Sequence, residues 1–253
     1  MKRLLPLLLL WLGLTSCSTS PEHFPAMKPG LTPHQFSVER KQVLAADYLL
    51  SLPDGYVADP AKRWPLILFL HGAGERGADV WLVAKHGPFK TEAATNNFII
   101  VSPLCPAGKI WSEDVVLALL DDIEAKYPVD THRVYLTGLS MGGFGAWNLG
   151  LSHPEKFAAM APICGGGQTI PIILAKVYDA ATLANMRSLG IWAFHGGKDT
   201  TVPPGESEHM VKALQQAGCT DVKLTIYPEA THDSWTQAYS DPELFAWFLK
   251  HSR

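Results

Sequence analysis

Arg133-Val134-Tyr135-Leu136-Thr137-Gly138-Leu139-Ser140-Met141-Gly142-Gly143-Phe144 is the stretch on which the reading of this chain turns. Arg133 to Thr137 is strand-like. Phe144, Trp147, Asn148 and Leu151 then recur at helical spacing and stop near Pro154. Between them stands Gly-x-Ser-x-Gly. A strand that turns sharply into a helix crowds its own backbone, and glycines two positions either side of Ser140 relieve that crowding. The strained turn lifts the serine hydroxyl above the sheet. The competing reading is a glycine-rich turn with an idle serine, and the strand and helix flanks argue against it.

Working outward, short apolar runs alternate with helical ones. Tyr48 to Leu52, Pro65 to Leu70, Phe98 to Ser102, Ala158 to Cys164, Ile191 to Phe194 and Val222 to Tyr227 read as strands. Continuous apolar strands suit a sheet buried on both faces. Glu113 to Tyr127, Glu206 to Ala217 and Pro242 to Lys250 read as helices. The alternation predicts an α/β fold with a mainly parallel sheet and right-handed crossovers.

A serine hydroxyl needs a base, and the base needs an orienting acid. Asp199 follows the strand Ile191 to Phe194, within His195-Gly196-Gly197-Lys198-Asp199, and His232 follows the strand ending at Tyr227. Both loops leave the same sheet edge as Ser140, in the order Ser, Asp, His. The expected set is therefore Ser140, Asp199 and His232. Glu206 and Asp233 are rival acids and His195 a rival base, while His71 and His209 read as packing or hydrogen-bonding residues. An oxyanion needs two backbone N–H donors. Met141 supplies one. The loop His71-Gly72-Ala73-Gly74 supplies the other, with Ala73 ahead of Gly72 because its flanking glycines leave it room.

The blocks Phe69 to Gly77, Cys105 to Trp111, Thr137 to Gly145, Cys164-Gly165-Gly166-Gly167, His195 to Val202 and Thr231 to Trp235 resemble the dienelactone-hydrolase-like and carbohydrate-esterase branch of the α/β-hydrolase superfamily. The branch is often labelled predicted peptidase or phospholipase/carboxylesterase. The resemblance implies an α/β-hydrolase fold with an eight-stranded sheet and ester hydrolysis through an acyl-enzyme, with neither cofactor nor metal. Dienelactone hydrolases proper carry a cysteine where this chain has Ser140. The expected substrates are small or polysaccharide-linked esters of feruloyl or acetyl type. The alternatives are a prolyl-oligopeptidase-type serine peptidase and an inactive binding module on the same fold.

Gln168 to Gly190 is too short for a domain-sized lid, which predicts a minimal lid and an open cleft. Its apolar run Ile170 to Leu174 either packs against the sheet or walls an acyl pocket, and Trp111 and Trp235 are further candidates for that wall.

Ahead of the fold, residues 1–16 read as a signal peptide, with Lys2 and Arg3 before the apolar Leu4 to Leu14. Leu14-Thr15-Ser16-Cys17 resembles a lipobox, so Cys17 is the expected lipidation site and the membrane attachment. Residues 17–35, with Pro21, Pro25, Pro29 and Pro33, read as a tether. The expected location is outside the cytoplasm, as a membrane-anchored lipoprotein or otherwise periplasmic or secreted. The catalytic domain is read as 36–253. Cys105 and Cys164 either bridge or stay buried thiols. The chain is 47% hydrophobic and 18% charged, with net charge −3. No basic run suggests a nucleic-acid face, and the scattered histidines lack metal-site spacing.

Overall fold

The computed structural model describes residues 35–39, 41–56 and 61–253. The signal segment, Cys17 and the four tether prolines lie outside the described residues. The chain divides into two units, Met1–Gln42 and Val43–Arg253. The described residues of the first form no helix or strand, and the elements below belong to the second.

Seven strands are described: β1 (Tyr48–Ser51), β2 (Trp64–Leu70), β3 (Ile99–Pro103), β4 (Val129–Leu139), β5 (Ala159–Ile163), β6 (Gly190–Gly196) and β7 (Val222–Tyr227). The helices are α1 (Glu92–Thr95), α2 (Glu113–Lys126), α3 (Met141–Ser152), α4 (Ile170–Tyr178), α5 (Ala180–Ser188), α6 (Gly205–Gln216), α7 (Trp235–Ser240) and α8 (Pro242–Phe248). The sheet order is β1-β3-β2-β4-β5-β6-β7. β1 runs antiparallel to β3, and every other pairing is parallel. This is an α/β-hydrolase fold, with seven strands among the described residues where eight were expected. β1 and β7 are the two edges of the sheet, and residues 43–47 ahead of β1 form no ladder. The carbonyl of Asp47 instead accepts the Leu104 N–H at 2.7 Å, just past the end of β3.

The unbroken apolar runs are explained by layers on both sides. Side chains alternate along a strand. Leu66, Leu68 and Leu70 of β2 join one core with Val116, Leu120 and Ile123 of α2. Ile67 and Phe69 join the opposite core with Phe245 and Phe248 of α8. All seven residues of β2 are buried as a result.

Between β5 and β6 the chain forms two helices, α4 and α5. Asp179 ends α4 and starts α5, its carboxylate accepting the Thr182 N–H at 3.0 Å as an N-cap. Together α4 and α5 fill the stretch and leave no residues for a lid domain. The strand order reverses at β2, with β3 to one side and β4 to the other. The crevice outside the carboxyl ends of β2 and β4 is where open parallel sheets hold ligands. His71 follows β2 and Ser140 follows β4 at that crevice.

Candidate active site

Ser140 stands between β4 and α3 with φ 51° and ψ −116°. A side-chain-bearing residue rarely holds such a backbone, and the surroundings must impose it. They do so by close approach. A Cβ on Gly142 would overlap the Leu70 carbonyl oxygen and lie 2.7 Å from that of His71. One on Gly138 would overlap the Gly142 carbonyl oxygen. The Ser140 N–H is tied down by the Ile163 carbonyl at 3.0 Å and the Cys164 Sγ at 3.3 Å. The hydroxyl alone projects outward.

His232 Nε2 lies 2.9 Å from Ser140 Oγ, and its Nδ1 lies 2.7 Å from Asp199 Oδ2. A carboxylate only accepts, so Nδ1 carries the proton and Nε2 is left to accept the serine O–H. The other oxygen, Oδ1, accepts the N–H groups of Thr201 and Val202, both at 2.9 Å. Burial pushes the Asp199 carboxyl up. The His232 bond and the two backbone donors outweigh it and hold the group below the usual carboxylate range.

The rivals lie elsewhere. Glu206 faces His209 from α6 at 4.0 Å. Asp233 accepts the N–H and hydroxyl of Thr236 at the start of α7. His195 is fully buried behind Asp199. Its Nε2 donates to the Val202 carbonyl at 2.9 Å, and Nδ1 lies 2.7 Å from the Ser207 hydroxyl, itself 3.1 Å from the Gly165 carbonyl. The imidazole thus braces the acid loop against the segment that follows β5. Nothing in the sequence spacing marks Ser207 as its partner.

Met141 opens α3 and Ala73 opens a single 3-10 turn, Ala73–Glu75. The first N–H of a helical turn has no acceptor within it, so both donors are free to serve a ligand. The Gly72–Ala73 peptide is also aimed. His71 Nδ1 donates to the Gly72 carbonyl at 2.7 Å, and its Nε2 accepts the Cys105 N–H at 3.0 Å. The carbonyl and N–H of a trans peptide point oppositely. Pinning the Gly72 carbonyl therefore directs the Ala73 N–H away from His71. Burial lowers the His71 pKa, with partial opposition from its bond to Gly72. That agrees with an Nε2 that must stay bare to accept.

Trp111 lines a cavity of about 440 Å³ at Ser140, with Ile110, Met141, Phe144, Gly145 and Asn148. Trp235 does not share that wall. It packs edge-on against His232, ring centroids 5.5 Å apart, and borders a different cavity, with Lys85, His86 and Thr91. The apolar run of α4 lines neither place. Ile172 and Ile173 border a separate cavity against α6. Cys105, Cys164 and Cys219 are all free and buried, so the conceivable bridge from Cys105 to Cys164 is not formed. Burial pushes the Cys164 thiol up to about 12, which keeps it protonated beside Ser140. Two further residues at this edge, Glu75 and His86, were not singled out in the sequence. Their ion-pair distance is 3.8 Å. An acid inside the Gly-rich loop after β2 was the available signal.

A strained serine at a strand-to-helix turn, bonded to a histidine that is bonded to a carboxylate, on this sheet, defines the α/β-hydrolase class. Within that class the chain belongs to the phospholipase/carboxylesterase family, which matches residues 112–245. It is similar to the bifunctional acetylxylan esterase/xylanase XynS20E of Neocallimastix patriciarum, at 32% identity over 60% of this chain and 22% of that one. It is also similar to feruloyl esterase C of Emericella nidulans, at 31% over 49% of this chain and 48% of that one. Among solved structures, a thermostable esterase superposes with TM-score 0.67 and 31% identity, over 81% of this chain and 59% of that one. The chain spans less than two thirds of the length of each.

Proposed function

We propose that this protein is a serine hydrolase of carboxylic esters, acting through an acyl-enzyme on short acyl or aryl esters of acetyl or feruloyl type. The observation that carries the reading is the continuous relay from Ser140 through His232 to Asp199. Ser140 Oγ attacks the ester carbonyl while His232 Nε2 takes its proton. Met141 and Ala73 donate their N–H groups to the oxyanion. Collapse expels the alcohol, which takes the proton back from His232, and water activated by the same nitrogen releases the acid. Asp199 holds the ring in its tautomer and stabilises the imidazolium. The cavity walled by Trp111 and Phe144 receives the acyl group. Its volume lies toward the small end for ligand sites, and its aromatic walls favour flat acyl groups over long chains.

The test is Ser140→Ala, assayed with p-nitrophenyl acetate and by labelling with a fluorophosphonate. Loss of at least about 10³-fold in kcat and of all labelling is expected, with the melting temperature retained. Turnover near the wild-type rate would end the assignment. The N-terminal sequence pattern is what supports a location outside the cytoplasm, tethered through lipidated Cys17. Full-length protein that stays in the supernatant after membranes are pelleted would remove the tether.

A further inference from the structure

His232 returns its proton to the departing alcohol, so the alcohol half of the ester must lie on the His232 side of Ser140. The acyl half is then left the cavity lined by Trp111 and Phe144, which neither His232 nor Trp235 borders. The His232 side has its own series of groups. Trp235 packs against His232, and His86 packs against Trp235 with centroids 5.5 Å apart. His86 Nε2 in turn faces Glu75 Oε1 at 3.8 Å.

Glu75 is the unusual member. It is 5% exposed, and none of the described residues donates a hydrogen bond to it. Its oxygens are not fully shut off from solvent, so with no protein donor they are left to a group that enters from outside. Its neighbour in sequence could have served, but Arg76 donates to the carbonyls of Ala73 at 2.9 Å and Lys109 at 3.0 Å. His86 is beyond hydrogen-bond reach. An oxygen set to one side of the 3.8 Å line joining the two atoms can sit about 2.8 Å from each. A hydroxyl there accepts from His86 Nε2–H and donates to the carboxylate, each at an ordinary distance.

We propose that Glu75 and His86 form a subsite for a free hydroxyl on the alcohol half of the substrate. The ester taken is then one of a polyhydroxylated alcohol. An ammonium group would meet the carboxylate equally well, but it could not accept from His86. It would also approach Lys85 and Lys90, which line the adjoining cavity of about 230 Å³ beside His86 and Trp235. That cavity offers the hydroxyls of Thr91, Thr236 and Ser240 on its rim. The subsite rests on the ester-hydrolase reading above and adds to it what the alcohol must carry.

The experiment compares two esters with one acyl group, ethyl acetate and glyceryl monoacetate, by acid release from full-length protein. The wild type is expected to prefer the glyceryl ester in kcat/KM. Glu75→Gln and His86→Phe are each expected to cut that preference at least about tenfold, the size of a lost hydrogen bond to a charged group. Melting curves identify a variant that has lost its fold, and the partly exposed His86 provides the second handle if Glu75→Gln does. A wild type that cleaves both esters without preference, or variants that keep the preference, would overturn the subsite and leave the ester-hydrolase reading standing. A wild type that cleaves neither ester, nor p-nitrophenyl acetate, would overturn both.

Discussion

The turn at Ser140 and the helix pair α4–α5 are both connections at the sheet's edge, and they are built on opposite terms. At the turn, backbone meets backbone. The positions of Gly138 and Gly142 leave no volume for a side chain, because carbonyl oxygens of β2 and α3 stand where Cβ would be. Along α4 only Ile172 and Ala175 are buried. Ile170, Ile173, Leu174, Val177 and Tyr178 are each at least half exposed. Residue identity is dictated where main chains touch and only loosely constrained where side chains reach solvent. The sensitivity of the protein to substitution should follow the same division.

The largest effect is expected at Gly142. In Gly142→Ala the new methyl group would have to displace the carbonyl of Leu70, within a fully buried strand, and that of His71. Neither is the movable end of a side chain. A loss of at least about 4 kcal/mol is expected, in the exceptional class for a single substitution. It is read from urea unfolding or from failure to obtain soluble protein. A variant within about 1 kcal/mol of wild type would show that the elbow can relax, and the contrast with α4 would fail.

Much of the site could be read in advance because the same constraint acts on the chain locally. Strand, glycine spacing and helix are contiguous around Ser140, and Asp199 and His232 each follow a strand by a few residues. The pieces that escaped depend on contacts between distant segments. Glu75 and His86 meet only because the loops after β2 fold over one another. Trp111 and Trp235 were grouped on one wall, whereas Trp111 edges against His71 at 4.8 Å and Trp235 lies against His232. No periodicity encodes which cavity an indole will border. The division into α4 and α5 escaped for a local reason, since a capping Asp179 inside a helical pattern reads equally well as a surface residue.

An intermediate effect is expected at His71, where the constraint is a proton. The folded state lowers its pKa from 6.5 by burial. Below that pH the unfolded chain binds a proton that the folded chain resists. Stability from this residue is therefore full above about pH 6.5 and falls as pH drops toward the folded pKa, by at most about 1.4 kcal/mol per pH unit. Asp199 contributes in the same direction only at lower pH, since its lowered pKa matters below its ordinary value of 3.8. Comparing wild type with His71→Asn by urea unfolding between pH 7.5 and 4.5 separates them. The stability gap between the two proteins should narrow on acidification. A constant gap would mean that His71 acts through packing alone and that the Gly72 carbonyl is not held by a neutral imidazole.

The smallest effect is expected on the outer face of α4, and it tests the other half of the comparison. Leu174 is 50% exposed and Ile172 is 3% exposed, two positions apart on one helix. Leu174→Gln removes apolar area that is already half in water and keeps a residue of similar helix preference. Its stability should stay within about 0.5 kcal/mol of wild type. Ile172→Ala opens a void against the core and should cost about 2–5 kcal/mol. Hydrolysis of p-nitrophenyl acetate should be unaltered in Leu174→Gln, because no residue of α4 borders the Ser140 cavity. If Leu174→Gln instead lost as much stability as Ile172→Ala, the outer face would be covered in solution. The exposed apolar row would then be a packed surface subject to the same constraint as the elbow. Equal and small losses at both positions would carry a different meaning. They would show that α4 adds little to the core from either face, so that the β5–β6 crossover is held mainly by α5, through its buried Leu183 and Met186.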